Sequence, residues 1–187
     1  APYYNKPSQE GLFSHFSEIA KKTEKPIVLY SIPSRCGIEI STDTVKRLRE
    51  NHPHICALKE AGGRSSKVSE TVVALDSDFT VLSGDDGLTL PFMACGAKGV
   101  VSVASNLIPQ KVVSLVSLAL EGKFIDAQKI HLANYNFFTD IFCEPNPVPI
   151  KTLLRLKNVI SSAEVRLPLS PASASNKQLL EKIASDL

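Results

Sequence analysis

Lys59 closes the apolar run Ile55-Cys56-Ala57-Leu58 and is followed directly by Glu60. An ammonium group taken out of water without a partner is costly. A lysine in this setting therefore reaches solvent, pairs with an acid such as Glu60, or gives up its proton. Side chains alternate along a strand, so a Lys59 that faces a sheet or barrel interior shares that face with Ala57. Ala57 is small enough to leave room for the lysine stem, while Cys56 and Leu58 face the other way. An amine held in a dry pocket favours its neutral form, and a neutral amine is a nucleophile that forms a Schiff base with a carbonyl compound. The residues alone leave all three outcomes open.

Other chemistry-bearing residues recur at similar places, where an apolar run meets a loop. Tyr30 ends the run Ile27-Val28-Leu29-Tyr30 and can relay protons or simply cap a core. Arg35 lies in the tight Pro33-Ser34-Arg35-Cys36-Gly37 segment, where its rigid fork suits a carboxylate or stands solvated. Gly84 precedes Asp85 and Asp86, and Val101 precedes Ser102. Gly37 and Gly84 suit a positive φ or a close backbone approach. Asp85 and Asp86 resemble a metal pair, but Asp86 is favoured as the N-cap of the following helix. There is no G-x-x-x-x-G-K-[ST] loop, no G-x-G-x-x-G fingerprint and no G-x-S-x-G elbow. Cys36, Cys56, Cys95 and Cys143 form no C-x-x-C pair and complete no metal-ligand pattern with His15, His52, His54 and His131. The reading is a reduced, cytoplasmic protein with no metal and no cofactor.

The elements that must position these residues alternate. Ser8 is a candidate N-cap for a helix carrying Leu12, Phe13, Phe16, Ile19 and Ala20, and Ser41 or Thr42 opens a second helix that ends near His52-Pro53. Strands are expected at Ile27–Tyr30, Ile55–Leu58, Phe79–Leu82 and Gly99–Val103, and helices at Ser65–Leu75 and Leu88–Cys95. From Ile108 to about Phe138 the pattern is helical, in two segments broken near Gly122. After the prolines 145, 147 and 149, helices are expected over Ile150–Ile160 and Asn176–Ile183. Continuously apolar strands alternating with helices imply a parallel α/β sheet, in which chemistry sits at the carboxyl ends of the strands. The chain has 187 residues, 43% hydrophobic and 21% charged, with a formal net charge of +2. No basic block suggests nucleic acid. No apolar run approaches the roughly 18 residues of a membrane span.

The stretches PYYNKPSQEGL (2–12), LYSIPSRCG (29–37), LKEAGG (58–63), LSGDD (82–86), GAKGVVSVASN (96–106) and EPNPVPIK (144–151) occur in one order and spacing. Together they resemble the dihydrodipicolinate synthase (4-hydroxy-tetrahydrodipicolinate synthase) family, pyruvate-dependent class I aldolases on a (β/α)8 TIM barrel. The resemblance runs through essentially the whole chain. It implies a C-terminal portion holding about the last four βα units plus the C-terminal helices. Residues 1–106 would be the half barrel, and residues 107–187 the final barrel helix and a helical region.

The resemblance also implies roles. Lys59 would form the Schiff base with pyruvate, Tyr30 would donate and accept protons, and Tyr4 would reach across a dimer interface into the proton relay. Arg35 would bind the carboxylate of L-aspartate 4-semialdehyde, and Val101 and Gly84 would line the pyruvate pocket. Tyr3 would be an interface residue that touches the inhibitor lysine in some members. A homotetramer built as a dimer of dimers is expected. Sister pyruvate aldolases, of the N-acetylneuraminate lyase or keto-deoxy-sugar-acid type, share the lysine and tyrosine but have less use for the Arg35 loop. Ser31 stands where the family usually has Asn, and Cys36 where Thr is common. The family carries roughly a hundred residues before PYYN, enough for four further βα units, and among them is a Gly-Thr-Thr segment of the relay. Without those units the chain is expected to be poorly folded or inactive, or to persist as a non-catalytic half-barrel remnant.

Overall fold

The computed structural model describes residues 1–187, which divide into two compact units, Ala1–Val101 and Ser102–Leu187. In the first, helix α1 (Gln9–Ala20) is capped by Ser8, whose Oγ accepts the Gly11 N–H at 3.2 Å. Strand β1 (Ile27–Ser31) follows. Next comes a single helical turn α2 (Pro33–Cys36) closed by Gly37 at φ +70°, where a loop was expected. The turn forms because Pro33 pre-sets the first helical φ and Gly37 accepts the left-handed exit. Helix α3 (Thr42–Asn51) is capped by Ser41, whose Oγ accepts the Thr44 N–H at 3.1 Å. Gln9 ties α1 to the entry of α3. Its Nε2 donates to the Glu39 carbonyl at 2.9 Å, and its Oε1 accepts from the Ser41 N–H at 3.0 Å and the Thr44 hydroxyl at 2.8 Å.

Strand β2 (Ile55–Glu60), helix α4 (Ser65–Ala74), strand β3 (Thr80–Ser83) and helix α5 (Thr89–Ala94) complete the alternation. The three strands form one parallel sheet in sequence order. The fourth expected strand is reduced to an isolated bridge between Ser83 and Val100. It is held by Lys98 N–H to Val81 O, Ser83 N–H to Gly99 O and Val101 N–H to Ser83 O, each at 2.8 Å. The ladder ends there because Val103 already has helical dihedrals and leads into a 3-10 turn at Ala104–Asn106.

The register pairs Val28 with Ala57, Leu29 with Leu58 and Tyr30 with Lys59, and then Leu58 with Val81 and Lys59 with Leu82. Paired residues in a sheet share a face. Leu29, Leu58 and Val81 are buried with Leu12, Val45, Leu48, Val68 and Phe92, and form the core beneath the helices. The opposite face carries Val28, Tyr30, Lys59 and Leu82, and within this unit it is not covered. Val28 is 50% exposed and Tyr30 36%, whereas Leu29 between them is 1% exposed.

The second unit is helical. Helix α6 (Pro109–Leu120) and α7 (Phe124–Ala133) turn at Gly122, φ +77°. A third segment, α8 (Tyr135–Asp140), makes three helices where two were expected. Helix α9 spans Val148–Leu156 rather than Ile150–Ile160. It starts earlier because Pro149 fits the first helical turn, and it stops before Asn158 adopts φ +56°. Helix α10 (Ala174–Asp186) is capped by Ser173, and Glu144 accepts from both the Ser173 N–H and the Asn176 side chain at 2.8 Å. Those bonds hold the Glu144 carboxyl below its usual range. Leu115, Ala127, Ile141, Leu153 and Leu180 are buried in this unit. No helix is long and apolar enough to cross a membrane.

The contrast between the two sheet faces gives a direct expectation. Leu58→Ala should lower unfolding free energy by about 2–5 kcal/mol, and Val28→Thr should change it by no more than about 0.5 kcal/mol. Urea denaturation of both variants checks this, and comparable losses would show that the two faces are covered alike.

Candidate active site

Lys59 is the fifth residue of β2, and its Cα partner across the ladder is Tyr30. The side chains leave the sheet on its open face, with Lys59 Nζ 3.8 Å from the centroid of the Tyr30 ring. An ammonium over an aromatic face is attracted by the ring quadrupole, by about 0.5–1 kcal/mol where solvent reaches it. Lys59 is half-buried, between the exposed tip of a surface lysine and a fully sequestered one. Its neighbour Glu60 leaves the opposite face of the strand, and no ion pair forms between them. The paired-acid alternative for Lys59 is thereby removed.

Gly84 completes the wall beside the lysine. Its N–H donates to the Glu60 carbonyl at 2.7 Å. A Cβ at this position would stand 2.7 Å from Ala61 Cβ, 3.1 Å from the Glu60 carbonyl oxygen and 3.1 Å from Lys59 Cε. Close approach to Ala61 is therefore what requires glycine here, with the Glu60 backbone and the lysine stem tight beside it. Val101 leads out of the bridged segment at 43% exposure. Arg35 is exposed at the end of α2, directly after β1.

Tyr3 and Tyr4 are 75% and 90% exposed, and Tyr4 has φ +71°. The segment that bears them is tied to the β1 end of the sheet. The Ala1 nitrogen donates to the Tyr30 carbonyl at 3.0 Å, and Cys36 Sγ donates to the Ala1 carbonyl at 3.1 Å. Tyr30, Lys59, Gly84 and Val101 thus gather at the carboxyl ends of neighbouring strands, with Arg35 on the helical turn α2 beyond β1. Tyr3 and Tyr4 project outward.

The Asp85-Asp86 pair departs from expectation. Helix α5 begins after Leu88 with no side-chain cap of its own, so Asp86 is not its N-cap. Instead Asp85 Oδ1 accepts the Leu88 N–H at 3.2 Å, and Ser83 Oγ donates to the Asp85 carbonyl at 2.8 Å. Asp86 is buried at 2% exposure. No three His, Cys, Asp or Glu side chains group as metal ligands.

Sequence reasoning treated Glu60 only as a partner for Lys59. The structure gives it another place. Glu60 is fully buried, its Oε1 accepts the Gly62 N–H at 2.6 Å, and its Oε2 has no hydrogen-bond partner. Burial pushes its carboxyl above the usual range, with the Glu39 carboxylate adding to the effect against the Gly62 N–H, Lys67 and Arg64. A carboxyl raised in the folded state contributes stability that is full at low pH and lost as pH rises through its folded pKa. The signal was available: alternation from Lys59 sends the next residue to the helix side. Lys67 is buried as well, 3.6 Å from Glu39 Oε1, while Arg64 reaches Glu39 Oε2 at 2.8 Å.

Comparison with known proteins extends this geometry. The family described as "Dihydrodipicolinate synthetase family" matches residues 1–187. A protein of Sulfurihydrogenibium sp. (strain YO3AOP1) named 4-hydroxy-tetrahydrodipicolinate synthase is 49% identical over 182 residues, covering 97% of this chain and 62% of that protein. The solved 4-hydroxy-tetrahydrodipicolinate synthase of Methylacidiphilum fumariolicum SolV superposes with a TM-score of 0.96 at 54% identity, over 99% of this chain and 61% of that one. The chloride-inhibited dihydrodipicolinate synthase of Acinetobacter baumannii, solved with pyruvate, gives 0.94 at 35% identity over 100% of this chain and 63% of that one. The chain spans about 62% of the length of the first of these relatives, and the parallel sheet with its helices is a partial (β/α)8 barrel of their kind. With its full length matched and its lysine, tyrosine and glycine gathered as described, the chain belongs to the dihydrodipicolinate synthetase family.

Proposed function

We propose that this chain carries the Schiff-base side of a 4-hydroxy-tetrahydrodipicolinate synthase, a lyase that condenses pyruvate with L-aspartate 4-semialdehyde. One observation carries the reading: Lys59 Nζ lies 3.8 Å from the Tyr30 ring centroid, on the open face at the strand ends. The Acinetobacter relative, described as complexed with pyruvate, supports the choice of keto acid.

In this reading the Lys59 amine attacks the ketone carbon of pyruvate, and loss of water leaves an iminium. The positive nitrogen makes the adjacent methyl group acidic, so removal of a proton gives an enamine nucleophile. Tyr30 moves the protons that these steps release and require. The enamine carbon then attacks the aldehyde of the semialdehyde, whose carboxylate Arg35 receives through paired N–H donors. Gly84 and Val101 shape the pyruvate side of the pocket. Tyr4 acts from a neighbouring subunit of a tetramer built from dimers, Tyr3 lines that interface, and the enzyme works in the cytoplasm without a cofactor.

The exposed Val28, Tyr30 and Val101 favour a second reading, a non-catalytic half barrel whose open face blocks assembly of the site. The two readings are separated by supplying the part of the Sulfurihydrogenibium relative that the match leaves uncovered.

Borohydride trapping with pyruvate, read by peptide mass, should place a reduced adduct on Lys59 of the complemented protein, and Lys59→Arg should abolish it. An adduct on another lysine, or none on a folded complex, would sink the reading. Tyr30→Phe should slow turnover by about 10²–10⁴-fold, the usual share of a general acid–base group, while an adduct still forms on Lys59. Steady-state kinetics with both substrates measures this, and unchanged turnover would remove Tyr30 from the relay. Gly84→Ala should destabilise by about 1–3 kcal/mol through the crowding described, and should reduce adduct yield. Thermal unfolding and trapping together check it, and a neutral result on both would show that the space beside Lys59 is not confined.

A further inference from the structure

The end of β2 is tied on three sides through two residues. The Ala61 N–H donates to the Ser31 carbonyl at 2.9 Å, which joins the turn to the end of β1. The Glu60 carbonyl accepts the Gly84 N–H at 2.7 Å, which joins it to the turn after β3. The Glu60 side chain then folds under its own turn, and Oε1 takes the Gly62 N–H at 2.6 Å. This last contact leaves no space: a Cβ on Gly62 would stand 2.5 Å from Glu60 Oε1 and 3.7 Å from Pro33 Cγ, at the first residue of α2. Gly62 thus lies between the Glu60 carboxyl and Pro33, in the helical turn that carries Arg35.

The charged groups around it are otherwise engaged. Glu39, on the approach to α3, is paired with Arg64 at 2.8 Å and with Lys67 of α4 at 3.6 Å. Glu60 Oε2 is left buried without a partner. A fully buried carboxyl with one filled and one empty oxygen is costly to keep. A core side chain of the same size would fill the volume, but it would not hold the Gly62 N–H.

We infer that Glu60 is a positioning residue: its buried carboxyl holds Gly62, in the turn after Lys59, beside Pro33 at the start of α2, and so fixes the placement of Lys59 relative to Arg35. This deepens the Schiff-base reading and rests on it. The clamp needs reach and an acceptor oxygen, and it does not need a negative charge.

Two conservative variants separate geometry from charge. Glu60→Gln keeps the length and the accepting oxygen. Glu60→Asp keeps the acid but falls one methylene short of Gly62. Each is made in the full chain, and three quantities are read: amide exchange at Gly62, reductive methylation of Lys59 relative to the other lysines, and borohydride-trapped pyruvate on Lys59 in the complemented protein. Glu60→Gln is expected to stay within about twofold of wild type on all three. Glu60→Asp is expected to lose Gly62 protection, to shift Lys59 methylation selectively, and to slow trapping about tenfold or more, because small misplacements at a reacting group are expensive. The inference is overturned if Glu60→Asp behaves as wild type, or if Glu60→Gln is as impaired as Glu60→Asp. Wild-type protein that traps no pyruvate, yet shows the Asp-selective change in Gly62 exchange and Lys59 methylation, would overturn the Schiff-base reading and leave the clamp standing.

Discussion

The parallel register of β1 against β2 is the constraint on which the site depends. It makes Tyr30 and Lys59 Cα partners, so the phenol ring and the amine meet without any loop having to carry them. A slip of one residue would turn Lys59 into the helix-covered core and present Leu58 to the open face. The register shifts by one residue between Ile27, whose N–H donates to the His54 carbonyl at 2.8 Å, and Val28, and from Val28 on it is held to the end of the strands, where the Ala61 N–H donates to the Ser31 carbonyl at 2.9 Å. Between these points the burial of Leu29, Leu58 and Val81 rewards only this alignment.

The two faces of the sheet have been given opposite tasks. On the helix face the polar residues at the strand ends are buried, and each holds backbone. Ser31 Oγ accepts the Ile40 N–H at 3.2 Å, Ser83 Oγ accepts the Asp85 N–H at 3.2 Å, and Glu60 holds Gly62. These bonds convert the turns after the strands into fixed structure. On the open face the residues are the amine, the phenol and a few apolar side chains. Rigid support behind and reactive groups in front is what precise placement of a nucleophile demands.

Local signals made much of this legible. Ser8 and Ser41 are the caps that their positions before amphipathic runs announce, because a cap is decided by a few adjacent residues. The strands at Ile27, Ile55 and Phe79 are visible as short apolar runs, and alternation is enough to put Lys59 with Ala57 and against Leu58. What stayed hidden depends on distant partners. Asp86 looked like a cap, but its backbone neighbours are held by Asp85 and Ser83 instead. The segment after Gly99 looked like a strand, but its pairing ends after one bridge. Glu60 read as a counter-ion because its fit beneath Gly62, itself beside Pro33, is fixed only when the first two strand ends meet. The placement of Lys59, Tyr30 and Arg35 at the carboxyl ends of the strands is legible in the strand–helix alternation, whereas their separate roles come from resemblance.

The central claim is that Lys59 is the nucleophile that forms a Schiff base with the ketone of pyruvate. The most direct measurement is carbon-13 NMR of pyruvate labelled at its ketone carbon, bound to the protein supplemented with the part of the Sulfurihydrogenibium relative that the match leaves uncovered. The account predicts that the bound ketone resonance is replaced by an imine or enamine signal, and that this signal vanishes in Lys59→Arg while the protein remains folded. A bound spectrum that shows only ketone and hydrate, or an imine signal that survives Lys59→Arg, would contradict it.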